Sequence, residues 1–103
     1  MMAALKSFRD LKAAPKFAIL GDMRELGEGS MAEHQKIVDF IDACHFEQVW
    51  LVGAEFGKLN TSYTQLPDVE ALKAKIKEVN PQGYYLLLKG SNSIRLSEVI
   101  PYL

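Results

Sequence analysis

The sequence predicts a three-layer α/β domain, a small and mostly parallel sheet with helices on both faces. Three observations carry this. Apolar runs at residues 17–20, 49–52 and 84–88 read as short strands buried on both sides, as in a parallel sheet. Segments with helical spacing lie between them, which is the alternation of βαβ units. Each run is closed by a glycine within two residues, at Gly21, Gly53 and Gly90.

The elements follow in order. Met1, Leu5, Phe8 and Leu11 form a helical stripe over residues 1–12, and Pro15 stops it. Residues 17–20 are the first strand. Residues 21–29 form a loop with three glycines. Ser30 and Glu33 then have capping-box spacing and open a helix to Cys44, with Ile37, Val38, Ile41 and Cys44 inward. Residues 49–52 are the second strand. Residues 54–65 read as one helical turn with a short strand near 62–66. Pro67-Asp68 opens a helix with Val69, Leu72, Ile76 and Val79 on one face and lysines on the other. Asn80-Pro81-Gln82-Gly83 is a turn cluster. Residues 84–88 are the third strand. The last helix is expected over 92–100, with Leu96, Val99 and Ile100 inward and Pro101 at its end.

The chain has 103 residues, enough for one domain and one core. Its net charge is −1 and its basic residues are scattered, which argues against nucleic-acid binding. The apolar runs are too short to span a bilayer, and no signal-peptide pattern opens the chain. The single cysteine, Cys44, excludes an intrachain disulfide and fits a reducing compartment. It lies in an apolar helical stripe and reads as a core thiol.

Two loops carry chemistry. Lys89-Gly90-Ser91-Asn92-Ser93 joins a strand to a helix. The unpaired N–H groups and positive dipole end of a helix favour an anion, Gly90 admits a ligand close to the backbone, and Lys89 adds a positive charge. The group suits a carboxylate or phosphate. The order of residues is not that of a Walker A loop. The plainer reading is that Ser91 or Asn92 only caps the helix.

The second loop is Gly21-Asp22-Met23-Arg24-Glu25-Leu26-Gly27. Asp22 stands just past a strand end, where ligand-facing carboxylates lie in α/β sheets. Glu25 and Arg24 share the loop. The dinucleotide spacing of glycines is missing. The plainer reading is an Asx-type turn at Asp22 and a surface ion pair of Arg24 with Glu25. His34 falls on the inward face of its helix and reads either as a cofactor contact or as a satisfied core histidine. No set of residues has metal-ligand or catalytic-triad spacing.

Together these residues resemble the C-terminal domain of the Mur ligases, and most of all of the dipeptide-adding members. The carriers are Leu20-Gly21-Asp22-Met23, Glu25-Leu26-Gly27-Glu28, Glu33-His34, Val52-Gly53 and Lys89-Gly90-Ser91, in that order. The resemblance covers essentially the whole chain. It implies a Rossmann-like fold and a cytoplasmic bacterial, monomeric, ATP- and Mg2+-dependent enzyme. That enzyme adds D-alanyl-D-alanine to UDP-N-acetylmuramoyl-tripeptide through an acyl phosphate. It further implies that Lys89, Ser91, Asn92 and Ser93 seat the dipeptide carboxylate. Asp22 and Glu25 would line the cleft near the amine, and Asp22, Arg24 and His34 would lie toward the nucleotide. No catalytic residue and no metal ligand is expected within these residues.

The sequence departs from the pattern in places. The family often has arginine where Asn92 stands. The amino domain, the central ATPase domain with its P-loop, and the strand-loop that precedes Met1 in the family are not in this sequence. The chain alone is therefore expected to be inactive and to bind no cofactor tightly, and its partners would be those two domains. Two rival readings stay open. One is a stand-alone module for a phosphorylated or nucleotide ligand. The other is an interaction domain using the lysine-rich face of residues 72–79.

Overall fold

A computed structural model describes residues 2–12, 14–23, 30–80, 82–90 and 94–102, with Ser30 described for its backbone alone. Helix α1 (Met2–Asp10) leads into strand β1 (Lys16–Gly21). Helix α2 (Ser30–Cys44), strand β2 (Gln48–Val52), the single turn α3 (Ala54–Gly57) and strand β3 (Thr64–Leu66) follow. Helix α4 (Val69–Val79), strand β4 (Tyr85–Lys89) and a closing 3-10 helix (Leu96–Tyr102) complete the order. The sheet has order β3-β2-β1-β4 with every pairing parallel. No described helix is long and apolar enough to cross a membrane.

Parallel strands need covering on both faces, and the side-chain alternation provides it. In β1, Ala18 and Leu20 point to one face, Phe17 and Ile19 to the other. Val49 and Leu51 join the first set from β2, and Trp50 and Val52 join the second. The first face packs under Leu5 and Phe8 of α1, Ile37, Val38 and Ile41 of α2, and Phe56 of α3. The second packs under Val69, Leu72 and Ile76 of α4 and Leu96 and Val99 of the 3-10 helix. Phe17 meets Trp50 edge-on at 4.7 Å between ring centroids. These are the three layers expected from the sequence.

Helix α4 begins where a cap allows it. The Asp68 carboxylate accepts from the backbone N–H of Ala71 at 2.9 Å, and left-handed Asn80 ends the helix.

The structure corrects four expectations. Leu11 and Val79, expected inward, are 46% and 49% exposed. Leu11 follows the last residue of α1, and Val79 is the last residue of α4. The last segment is not one α-helix over 92–100. Arg95 has φ of 59°, a left-handed conformation that no α-helix contains, and a 3-10 helix follows with Pro101 inside it. At three residues per turn Leu96 and Val99 stack on the core, while Ile100 rotates away and is 58% exposed. Met1 lies outside the described residues.

Candidate functional site

The chain climbs from β1 through β2 to β3 in one direction across the sheet, then returns to place β4 on the far side of β1. The direction reverses between β1 and β4. In open α/β sheets ligands bind at that point, outside the carboxyl ends of the strands. Gly21 with Asp22 and Lys89 with Gly90 stand there side by side, since Leu20 pairs in register with Lys89. The two loops singled out in the sequence therefore begin at one place.

The glycines at this edge serve close packing. A Cβ on Gly90 would lie 2.9 Å from the Cα of Gly21, and a Cβ on Gly21 would lie 2.9 Å from Cγ2 of Ile94. At Gly90 the missing Cβ lets the backbones of β4 and β1 pack closely.

Asp22 is 5% exposed, and both of its carboxylate oxygens are engaged. Oδ2 accepts from the N–H of Glu55 at 2.8 Å and Oδ1 from the N–H of Phe56 at 2.9 Å. These are donors in the first turn of α3, whose own N-cap, Gly53, has no side chain to offer. The cap thus arrives from another strand. Gly53 has φ of 120° and ψ of 166°, a region open only to glycine, and a Cβ there would fall 2.3 Å from Cγ of Asp22. Around this point the N–H of Asp22 donates to the Val52 carbonyl and the N–H of Gly53 to the Leu66 carbonyl. The ends of β1, β2 and β3 are thereby tied together.

His34 is fully buried. Its Nε2 accepts from the N–H of Met23 at 3.1 Å, which assigns the neutral ring with its proton on Nδ1. The ring stands edge-on to Phe56 with centroids 4.6 Å apart.

Lys89 is exposed at the end of β4 and lines a cavity of about 250 Å³ with Gly90, Arg95 and Ser97. Arg95 also lines a second cavity, about 220 Å³, with Asp22, Gly53 and Asp68. Its guanidinium pairs with Glu98 at 3.3 Å, and Glu98 also receives Lys73 at 3.0 Å. The Lys73 hydrogen bond, aided by the charge of Arg95, holds the Glu98 carboxyl below its ordinary range. Arg95 escaped the sequence reading, which placed it mid-helix. The one available signal was a second cation six residues after Lys89. Among the expected site residues Arg24, Glu25, Ser91, Asn92 and Ser93 lie outside the described residues. Asp22 and Lys89 meet at the carboxyl edge, and His34 supports that edge from beneath, through Met23. Among the described residues no group of three His, Cys, Asp or Glu side chains could hold a metal ion.

No family model matches the sequence. Over essentially its whole length the chain is similar to UDP-N-acetylmuramoyl-tripeptide–D-alanyl-D-alanine ligases. Identity is 31% over 111 aligned positions with that of Rickettsia prowazekii and 29% over 112 with that of Treponema pallidum. The match covers 24% of each relative, so the chain spans about a quarter of their length. Among solved structures, a MurF ligase from Thermotoga maritima in complex with ADP superposes with a TM-score of 0.74. That match covers 98% of this chain and 25% of the other at 22% identity, and it shows a shared fold.

Proposed function

We propose that this chain is the C-terminal domain of an ATP-dependent ligase that adds D-alanyl-D-alanine to UDP-N-acetylmuramoyl-tripeptide in bacterial peptidoglycan synthesis. The observation that carries the reading is the extent of the similarity. It runs through the whole chain yet takes up only a quarter of each relative, as one domain of a larger enzyme would. The meeting of both signature loops at the sheet's carboxyl edge supports it.

In this reading the tripeptide carboxylate is activated as an acyl phosphate, the dipeptide amine attacks it, and phosphate leaves. This domain holds the amine donor and closes over the nucleotide. Lys89 supplies positive charge to the dipeptide carboxylate, with Ser91, Asn92 and Ser93 as hydrogen-bonding partners. By the resemblance, Glu25 is assigned to the amine or the nucleotide and Arg24 to the nucleotide. The cavity shared by Lys89 and Arg95 suits an anion. In this reading ATP and Mg2+ are the cofactors of the full-length enzyme.

Ser93→Ala in the full-length enzyme tests the carboxylate seat. KM for the dipeptide is expected to rise far more than KM for ATP. An equal rise for both would contradict the assignment. Calorimetry of the chain with ATP tests the wider reading. Weak binding fits one half of an interdomain cleft, whereas tight binding would favour a self-sufficient nucleotide module.

A further inference from the structure

The groups beneath the carboxyl edge form a closed circuit. Met23 N–H donates to His34 Nε2, Asp22 precedes Met23 in the chain, Asp22 Oδ1 accepts from Phe56 N–H, and the Phe56 ring meets the His34 ring. Three elements are joined by it: α2 through His34, the end of β1 through Asp22 and Met23, and the start of α3 through Glu55 and Phe56.

We infer that Asp22 and His34 are positioning residues that act as one latch, fixing the chain that leaves β1 against the loop that leaves β2, rather than groups that touch ligand. The inference rests on the carboxyl edge being the ligand-facing edge of the ligase proposed above.

The physical argument is one of occupancy. The Asp22 carboxylate is 5% exposed and each of its oxygens is held by a backbone N–H, so little of it is presented to a ligand, and turning it outward to meet one would cost a donor. A buried N–H left unpaired is costly, so the exchange is unfavourable. His34 is 0% exposed and spends Nε2 on a backbone donor. The same bonds do useful mechanical work. The N–H of Met23 is pinned from α2, and the carboxylate of the preceding residue, Asp22, is pinned to α3. The chain just past β1 is thus fixed at Asp22 and Met23 by three bonds from two different elements. Gly53 completes the arrangement, because only a residue without Cβ leaves room for the Asp22 carboxylate.

A latch differs from two separate caps in being coupled. The first test is amide hydrogen exchange in the 103-residue chain. His34→Leu removes the acceptor of Met23 and leaves Asp22 intact. Exchange at Glu55 and Phe56 is expected to quicken by about fivefold or more, the scale of a modest coupling between sites. Leu72 and Ile76 of α4 serve as the internal control and are expected to hold. His34→Gln keeps an acceptor for the Met23 N–H and is expected to restore protection at Glu55 and Phe56, which separates lost hydrogen bonding from lost folding. Unchanged exchange at those two amides in His34→Leu would mean independent caps and overturn the latch.

The second test is kinetic, in the full-length ligase below its melting temperature. Asp22→Asn and His34→Leu are each expected to raise KM for D-alanyl-D-alanine by about tenfold, more than either lowers kcat, as loss of positioning does. A lowered Tm with KM unchanged would make the groups structural only and overturn the positioning role. Absence of dipeptide ligation by the unsubstituted enzyme would sink the proposed function instead, while the exchange result would still decide the latch.

Discussion

Alanine at position 53 would place a methyl carbon 2.3 Å from Cγ and Oδ2 of Asp22 and hold a side-chain-bearing residue at φ of 120°. Two costs follow. A non-glycine residue in that backbone region is strained by about 1–3 kcal/mol. The Asp22 carboxylate must also swing away from the N–H groups of Glu55 and Phe56, and a hydrogen bond to a charged group contributes about 1.5–3 kcal/mol. Losing one such bond and weakening the other brings the total to about 3–6 kcal/mol, a large part of the ~5–15 kcal/mol that holds a domain folded. The melting temperature is expected to fall by more than about 12 °C, at ~4–8 °C per kcal/mol for a domain of this size. Urea unfolding followed by the fluorescence of Trp50, the single tryptophan, measures the loss directly. The decisive comparison is a double-mutant cycle. On an Asp22→Ala background the new methyl has no carboxylate to displace, so the penalty of Gly53→Ala is expected to shrink to the backbone strain of about 1–3 kcal/mol. A loss under about 1 kcal/mol in the single variant, or strict additivity in the cycle, would refute the reasoning.

Other perturbations give sharper contrasts between similar residues. Leu51 is fully buried and Leu11 is 46% exposed, so Leu51→Ala is expected to cost about 2–5 kcal/mol in urea unfolding and Leu11→Ala less than about 0.5 kcal/mol. Asp68→Ala removes the cap of α4 and is expected to cost about 1 kcal/mol, with Asp68→Asn recovering most of it. Glu47 accepts from the backbone N–H of Lys16 at 2.6 Å, and this bond holds its carboxyl below the ordinary value of 4.5. Its folded value is therefore the lower one. The stabilisation it brings is fully present above 4.5 and is lost as pH falls through the folded value. Glu47→Gln keeps an acceptor but cannot titrate, so the urea midpoint of the variant is expected to depend less on pH on the acid side. Superimposable acid limbs for both proteins would contradict this.

The layers were legible in the sequence because the central strands announce themselves. β1 and β2 are buried on both faces, so their apolar runs are continuous, and the helices between them carry a clear stripe. The capping-box spacing at Ser30 located the start of α2, and Asp68 that of α4. Sequence spacing failed where geometry breaks periodicity. Leu96 and Val99 are three apart, which an α-helix and a 3-10 helix both satisfy, so their burial was readable while the helix type and the fate of Ile100 were not. The candidate site was half legible. Its two loops were found from composition, and their meeting follows from strand order. The role of Asp22 was not readable, because its partners are 33 and 34 residues away and are backbone N–H groups, which every residue possesses. Gly53 read only as the glycine that closes a strand, and its contact with Asp22 exists only once β2 lies beside β1.

The two faces of the sheet are unequal, and this limits how such a sequence can drift. On β1 the face toward α4 carries Phe17 and Ile19, while the opposite face carries Ala18 and Leu20. Inserting or deleting one residue inside β1 would exchange the two sets. Phe17 would then press into the space that Ala18 leaves for α1 and α2, and a void would open beneath α4. Point substitutions can be absorbed one at a time, but a single-residue length change cannot. Natural variation in length is therefore expected to gather in the connecting segments and to spare β1 and β2 altogether.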